Sequence, residues 1–319
     1  MSITDANRRS SRAAAPAELN AQLPLAESVV LVTGASTGIG AAIAHEVARR
    51  GARVALVARG AQALRDQAAS INAEGGQAIA IPADISNDRD VERIIGTTLE
   101  AFHKIDVLVN NAAIGWHNLL AHSSPSEVSQ LIDINLKGTM LLTRAALPEM
   151  LRQRRGAIIN LGSVSGRVAV DPLYSASKYG IRGFSLSLRR QLLDSGISVS
   201  LVSPGKIRTN QNLGCNEPMD EPEVVARAVA RLITHPRREV VVPRKYYAMV
   251  LLEQELPGLA DRAQRWRHRR YLVAPCKCAA CAASQQVKPL LVAEEPVPPM
   301  ESERRHIPPV LSERLDEGA

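Results

Sequence analysis

No stretch of this 319-residue chain approaches the ~18 consecutive apolar residues that a helix needs to cross a bilayer. The N-terminal segment also lacks the apolar centre of a secretion signal and carries Asp5, Arg8, Arg9, Arg12 and Glu18 instead. A cytoplasmic protein is the expectation. Cysteine is scarce: of four, three crowd together at Cys276, Cys278 and Cys281, which is no disulfide framework. No fourth ligand stands near that trio, so reduced thiols are expected and no metal site. An excess of one charge is missing too, since 39 Lys and Arg face 32 Asp and Glu, a net charge of +7. That surplus is too small to indicate a nucleic-acid partner.

What is present is ordinary for a globular chain: 45% apolar and 22% charged residues exclude a wholly disordered or fibrous protein. Residues 1–27 hold Ala, Arg, Ser and Asn without a sustained apolar period and read as a flexible tail. From Ser28 onward short apolar runs alternate with segments of helical spacing. Strands are expected at 29–32, 53–57, 78–81, 105–109, 157–161, 197–202 and 239–242, with helices at 39–50, 61–73, 89–102, 126–151, 173–193 and 221–234. Seven nearly continuous apolar strands separated by helices require a mostly parallel sheet covered on both faces, a doubly wound α/β domain. No composition break divides residues 28–245, so one domain is expected there. A basic helical extension follows at 246–273, and a Pro-rich, aperiodic second tail at 274–319. The extension reads either as a helix packed on the domain with an exposed cationic end or as a helix touching anionic membrane. Glu253, Glu255 and Asp261 dilute its charge and favour packing.

Between the first strand and first helix lies Thr33-Gly34-Ala35-Ser36-Thr37-Gly38-Ile39-Gly40. A glycine-rich turn in this position brings backbone N–H groups and the positive end of a helix dipole to the phosphates of a dinucleotide. A side chain at Gly38 or Gly40 is expected to block that approach. The same glycines alone also suit a tight loop. Where an acidic residue would bind the ribose hydroxyls of NAD, the second strand ends in Ala58-Arg59. The guanidinium of Arg59 suits a 2′-phosphate and predicts NADP(H) in preference to NAD(H); the plain alternative is a solvated arginine.

Tyr174 and Lys178 stand at i and i+4 at the start of a helix and project from one face. An ordinary phenol titrates near 10, and a neighbouring ammonium together with a bound cationic nicotinamide would favour phenolate, tuning Tyr174 for proton transfer. Ser163 falls at the C-terminal end of the fifth strand, the edge where open α/β sheets bind ligands. Singly, these also read as a surface pair and a turn residue.

With TGASTGIG at 33–40, NNAA at 110–113, Asn135, Ser163, YSASK at 174–178 and PGKIRT at 204–209 in that order, the sequence resembles the short-chain dehydrogenase/reductase family over about residues 28–245. The resemblance implies a Rossmann-type sheet. It implies that Tyr174 is the general acid/base, that Lys178 binds the nicotinamide ribose and lowers the tyrosine pKa, and that Ser163 orients the substrate carbonyl. Asn135 would hold a water completing a proton relay. Gly34, Ser36, Thr37, Gly38, Ile39 and Gly40 would cradle the cofactor, Asp84 and Ile85 contact its adenine, and Asn111 and Ala112 support it. Pro204, Gly205 and Thr209 would hold the nicotinamide side. A homodimer or homotetramer and a small carbonyl or alcohol substrate are implied as well.

Two positions depart from the family pattern: Ala113 replaces a customary glycine, and the interval from Ser163 to Tyr174 is short, which offers Ser165 as an alternative to Ser163. The segment 206–220 resembles the family's substrate-covering stretch, and Trp116 and His117 are candidates for the pocket wall. The activity expected is interconversion of a secondary alcohol and a ketone or aldehyde. A non-catalytic NADP(H)-sensing regulator, or an epimerase or dehydratase on the same fold, stands as the alternative.

Overall fold

A computed structural model describes residues 23–115, 120–209, 218–263 and 265. The chain divides into units 1–286 and 287–319, and every described residue belongs to the first. Trp116, His117, most of the substrate-covering stretch, the cysteine trio and the second tail lie outside the described residues.

Seven strands form one sheet: β1 (Val29–Thr33), β2 (Arg53–Ala58), β3 (Gln77–Pro82), β4 (Val107–Asn110), β5 (Gly156–Leu161), β6 (Ile197–Pro204) and β7 (Glu239–Val242). All pairs are parallel, in the order β3-β2-β1-β4-β5-β6-β7. The helices are α1 (Gly38–Arg49), α2 (Ala61–Ala73), α3 (Asp88–Phe102), α4 (Pro125–Ile132), α5 (Gly138–Gln153), α6 (Pro172–Gln191), α7 (Pro222–Thr234) and α8 (Tyr247–Glu255). The chain runs outward from β1 to β3, then returns to place β4 on β1's other side. The β1/β4 junction is therefore the point where strand order reverses and a crevice opens above the carboxyl ends.

Alternation along β1 explains its unbroken apolar run. Val30 and Val32 pack with Ile43 and Val47 of α1 and Val225 and Val229 of α7, while Val29 and Leu31 pack with Ile94 of α3 and Leu142 of α5. Both faces are covered, so apolar residues fill each of them up to Thr33, whose buried hydroxyl is hydrogen-bonded.

Three expectations need correction. Residues 23–27 are not tail: Leu23 and Leu25 are buried in the core, and Glu27 N–H donates to the Gly51 carbonyl at 3.0 Å. Two leucines around Pro24 are too few to make a periodic signal within an Ala- and Arg-rich window. The helix expected at 126–151 is two helices joined by a π-helical turn, Asp133–Lys137. That turn admits an extra residue and brings the Asn135 amide onto the Ile114 backbone. The helical extension is likewise interrupted: α8 ends at Glu255, Leu256 departs from helical geometry, and residues 257–263 resume the helix. Val250 of α8 packs against Val164, Val168 and Val241.

Leu23→Ala is expected to lower the unfolding free energy by about 2–3 kcal/mol, the cost of emptying a buried leucine site. Urea unfolding checks this, and an unchanged midpoint would return residues 23–27 to the tail.

Candidate active site

A cleft of about 690 Å³ opens over the carboxyl ends of β1, β2, β4, β5 and β6. Its β1 wall is the glycine turn: Gly34, Ser36, Thr37, Gly38 and Ile39 line it. Gly34 and Gly38 have φ of +64° and +58°, a region that side chains disfavour. No side chain caps the start of α1 and no acidic residue sits in its first turn, which leaves that helix end suited to an anion. Gly40 does not line the cleft. A Cβ there would stand 2.1 Å from the Gly34 carbonyl oxygen, so this glycine seats the helix against the turn and does not clear a path for a ligand.

Asn111 holds the turn's shape, its amide donating to the carbonyls of Thr33 (2.9 Å) and Gly34 (3.3 Å). The Thr33 hydroxyl in turn accepts from the backbone N–H groups of Asn111 and Ala112 at 2.9 and 3.0 Å. Thr33 thus ties β1 to the end of β4, although its signal in the sequence was only its place before the turn. Asn111, Ala112 and Ala113 all line the cleft, so the alanine replacing the customary glycine faces the ligand space. Arg59, exposed just beyond β2, lines the opposite wall and makes no ion pair with another described residue. Asp84 and Ile85 line the cleft after β3, the Asp84 carboxylate accepting from the N–H and hydroxyl of Ser86 at 2.9 and 2.7 Å.

At the β5 end, Ser163, Tyr174 and Lys178 come together on one wall. Asp171 caps α6 by accepting from the Tyr174 N–H at 2.9 Å, and Pro172 follows at the first helical position, which fixes where the helix starts and therefore which face carries residues 174 and 178. The Ser163 hydroxyl lies close enough to the Tyr174 phenol to draw its pKa downward, so the short interval between them still brings the two together on this wall. Ser165 also lines the cleft, but its backbone N–H donates to Ser163 Oγ at 3.0 Å and supports Ser163 instead of replacing it.

Lys178 is buried, its Nζ donating to the Leu161 carbonyl at 3.1 Å and lying 5.6 Å from the centre of the Tyr174 ring. Burial alone pulls its pKa from 10.5 down to about 8. The expectation of a lowered tyrosine pKa is not met in the chain by itself. Burial pushes the Tyr174 phenol above its usual range, the nearby Ser163 hydroxyl only partly opposes it, and the Asp171 carboxylate adds to the rise. The phenol therefore holds its proton at neutral pH.

Asn135 is buried and does not line the cleft. Its Oδ1 accepts from Ile114 N–H (2.8 Å), and its amide donates to the Ile114 carbonyl (2.9 Å) and Ser177 Oγ (3.2 Å). The side chain joins the π turn, the segment after β4 and α6. Pro204, Gly205 and Thr209 line the β6 side together with Lys206 and Ile207. The Tyr246 ring occupies the space a Cβ at Gly205 would need, and its hydroxyl accepts from the Lys206 N–H at 3.1 Å. Nothing in the sequence near Tyr246 announced that contact.

The sequence profile of the short chain dehydrogenase family matches residues 28–219, and the chain belongs to that family. A 3-oxoacyl-[acyl-carrier-protein] reductase of Synechocystis sp. is 39% identical over 225 residues, spanning 66% of this chain and 91% of that protein. The ketoacyl reductase HetN of Nostoc sp. is 33% identical over 257 residues, spanning 76% and 90%. Among solved structures, a metagenomic short-chain oxidoreductase in complex with NADP is 38% identical, covers 69% of this chain and 98% of its own, and superposes with a TM-score of 0.62. Membership makes this chain an oxidoreductase of carbonyl and alcohol groups. Among the described residues, no helix is long and apolar enough to cross a membrane.

An ammonium forced to ionise inside the protein weakens the fold. Because Lys178 titrates lower folded than unfolded, the unfolded chain binds more protons between pH 8 and 10.5, and stability rises with pH through that window. Lys178→Met is therefore expected to be more stable than the parent at pH 7, by roughly 1–3 kcal/mol after the lost hydrogen bond, an advantage that shrinks above pH 8. Urea titrations at a series of pH values measure it; a less stable variant at pH 7 refutes the buried charge.

Proposed function

We propose that this protein is an NADP(H)-dependent oxidoreductase in which Tyr174 exchanges the proton at the substrate oxygen while Ser163 and Lys178 assist. The observation that carries the reading is the convergence of a phenol, a serine hydroxyl beside it and a buried lysine on one wall of a cleft whose other wall is a glycine turn. The walls fit a dinucleotide: Gly34 and Gly38 line the cleft in a backbone conformation that side chains disfavour, and the uncapped start of α1 offers N–H groups to phosphate. Gly34, Ser36, Thr37, Gly38 and Ile39 would hold the pyrophosphate side, Asp84 and Ile85 the adenine side, and Asn111, Ala112, Lys178, Pro204, Gly205 and Thr209 the nicotinamide side. When bound, the nicotinamide supplies a hydride to the carbonyl carbon or takes one from the alcohol.

In reduction, the Tyr174 hydroxyl gives its proton to the carbonyl oxygen as the C–O double bond becomes single. The Ser163 hydroxyl donates a hydrogen bond to that same oxygen and holds it against the phenol. The phenolate left behind is stabilised by the Lys178 ammonium and then reprotonated from solvent. Asn135 acts through position, fixing Ile114 and Ser177 on either side of this wall.

Arg59 is the basis for the 2′-phosphate preference: it is an exposed cation at the end of β2 beside the cleft, where the sequence offers no acidic residue. One related solved structure is described with NADP, and another, a 3-ketoacyl-(acyl-carrier-protein) reductase from Brucella melitensis at 27% identity and TM-score 0.63, with NADH. The side chain at residue 59 is thus a more direct guide than family membership. A dimer or tetramer, read from the family, is tested by light scattering.

Loss of NADPH absorbance with a panel of ketones, aldehydes and 3-oxoacyl thioesters tests the activity. Binding without turnover on any of them would favour a cofactor-sensing regulator. Tyr174→Phe is expected to lower kcat by about 10²–10⁴-fold, with the Kd for NADPH within about twofold of the parent. Comparable turnover in that variant rejects the assigned acid. Arg59→Ala is expected to weaken NADPH by about 10–100-fold and leave NADH nearly unchanged, as loss of a charge-assisted bond to phosphate requires. Equal losses by titration of both cofactors refute the preference.

A further inference from the structure

Outside the cleft, one charged cluster is conspicuous for its depth and for the elements it joins. The Arg167 guanidinium forks onto the Glu239 carboxylate with two bonds of 2.6 Å, their side chains 15% and 7% exposed. Arg182 Nε reaches the same carboxylate at 3.3 Å, and Ser203 Oγ donates to it at 3.3 Å. Arg167 lies in the connection between Ser163 and Tyr174. Arg182 stands one turn beyond Lys178 on α6, and Ser203 immediately precedes Pro204 on β6. One carboxylate at the start of β7 therefore gathers the three segments that carry Ser163, the Tyr174–Lys178 pair and Pro204–Gly205.

We propose that Glu239 is a positioning residue for the Ser163–Tyr174 pair, acting through Arg167 and Arg182. The inference rests on the catalytic reading above and deepens it. The first turn of the connection it anchors is tightly packed. Ser163 caps its first turn, with the Gly166 N–H donating to the Ser163 carbonyl at 2.9 Å, and a Cβ at Gly166 would lie 2.7 Å from the Lys178 carbonyl oxygen. Backbone thus meets backbone between this turn and α6, next to the residue that carries the ammonium. A displaced Arg167 would move the turn, and the turn would move Ser163 or Lys178. Val164 and Val168, packed on Val241 and Val250, hold the apolar side of the same connection. The Arg167–Glu239 fork supplies direction on the polar side, which is what a bidentate pair offers beyond simple attraction. Net stability is a weak explanation for it, since a buried ion pair gains little over apolar residues of equal volume. A short connection between two reacting groups has the most need of such a brace.

The test uses the full-length chain with Glu239→Gln, Glu239→Asp and Arg182→Gln, measured beside the parent with NADPH and whichever carbonyl compound of the panel the parent reduces. Circular dichroism and urea unfolding establish that each variant is folded at the assay temperature. Glu239→Gln is expected to lower kcat by about 10–100-fold, the scale of a small misplacement of reacting groups, with KM for NADPH within about twofold. Glu239→Asp should recover part of that kcat, and Arg182→Gln should show a smaller loss because its bond is longer. A folded Glu239→Gln protein with unchanged kcat, or one whose loss lies only in KM for NADPH, overturns the positioning role. If Glu239→Gln does not fold, Arg182→Gln decides, and unchanged kcat in it overturns the proposal. A parent that reduces nothing on the panel overturns the oxidoreductase reading itself, which separates the two failures.

Discussion

A lysine ammonium taken out of water is the constraint around which the cleft wall is arranged. Lys178 donates to the carbonyl at the end of β5, and burial alone brings its proton affinity close to neutrality. At neutral pH such a group remains charged, and the backbone around it fixes where that charge sits. The capped start of α6, the close approach of Gly166 to the Lys178 carbonyl and the amide of Asn135 on Ser177 all limit how far the helix can shift. Groups whose proton affinity is shifted by burial gather at functional clefts.

The strands were legible because a parallel sheet covered on both faces admits apolar residues at every position, and a run such as Val29–Val32, too short for a helix and bounded by a glycine turn, fits a strand buried on both sides. Helices with one apolar face were legible from their period. The residues around Pro24 and the π turn at Asp133–Lys137 were not. In the first case two buried leucines are too sparse to raise a pattern. In the second, a one-residue insertion into a helical ladder leaves the apolar spacing nearly unchanged and is imposed by the tertiary contact of Asn135 with Ile114.

At the site, the residues that chemistry singles out by type came together: Tyr174, Lys178 and Ser163 share a wall, and the glycine turn faces them. The roles that depend on direction were harder to read. Gly40 turns inward to the backbone of Gly34, and the Asn135 amide turns toward the protein. A residue's type does not say which side of an element it will face at a strand end. The supporting contacts were invisible for a different reason: Arg167 and Glu239 are 72 positions apart, Lys206 and Tyr246 forty. Neither lies within a local motif, and each pairing exists only because the sheet orders β5, β6 and β7 side by side.

The seating of Tyr246 against Gly205 bears on how the cleft is supported. An aromatic ring from beyond the last strand stands behind the glycine that lines this flank, so that stretch of backbone is held by a segment outside the sheet's ladder. A smaller side chain in place of that ring would free the Gly205–Lys206 backbone to shift while every strand keeps its neighbour. One flank of the chamber thus leans on the far end of the domain, remote in sequence from the turn and the helix where the chemistry resides.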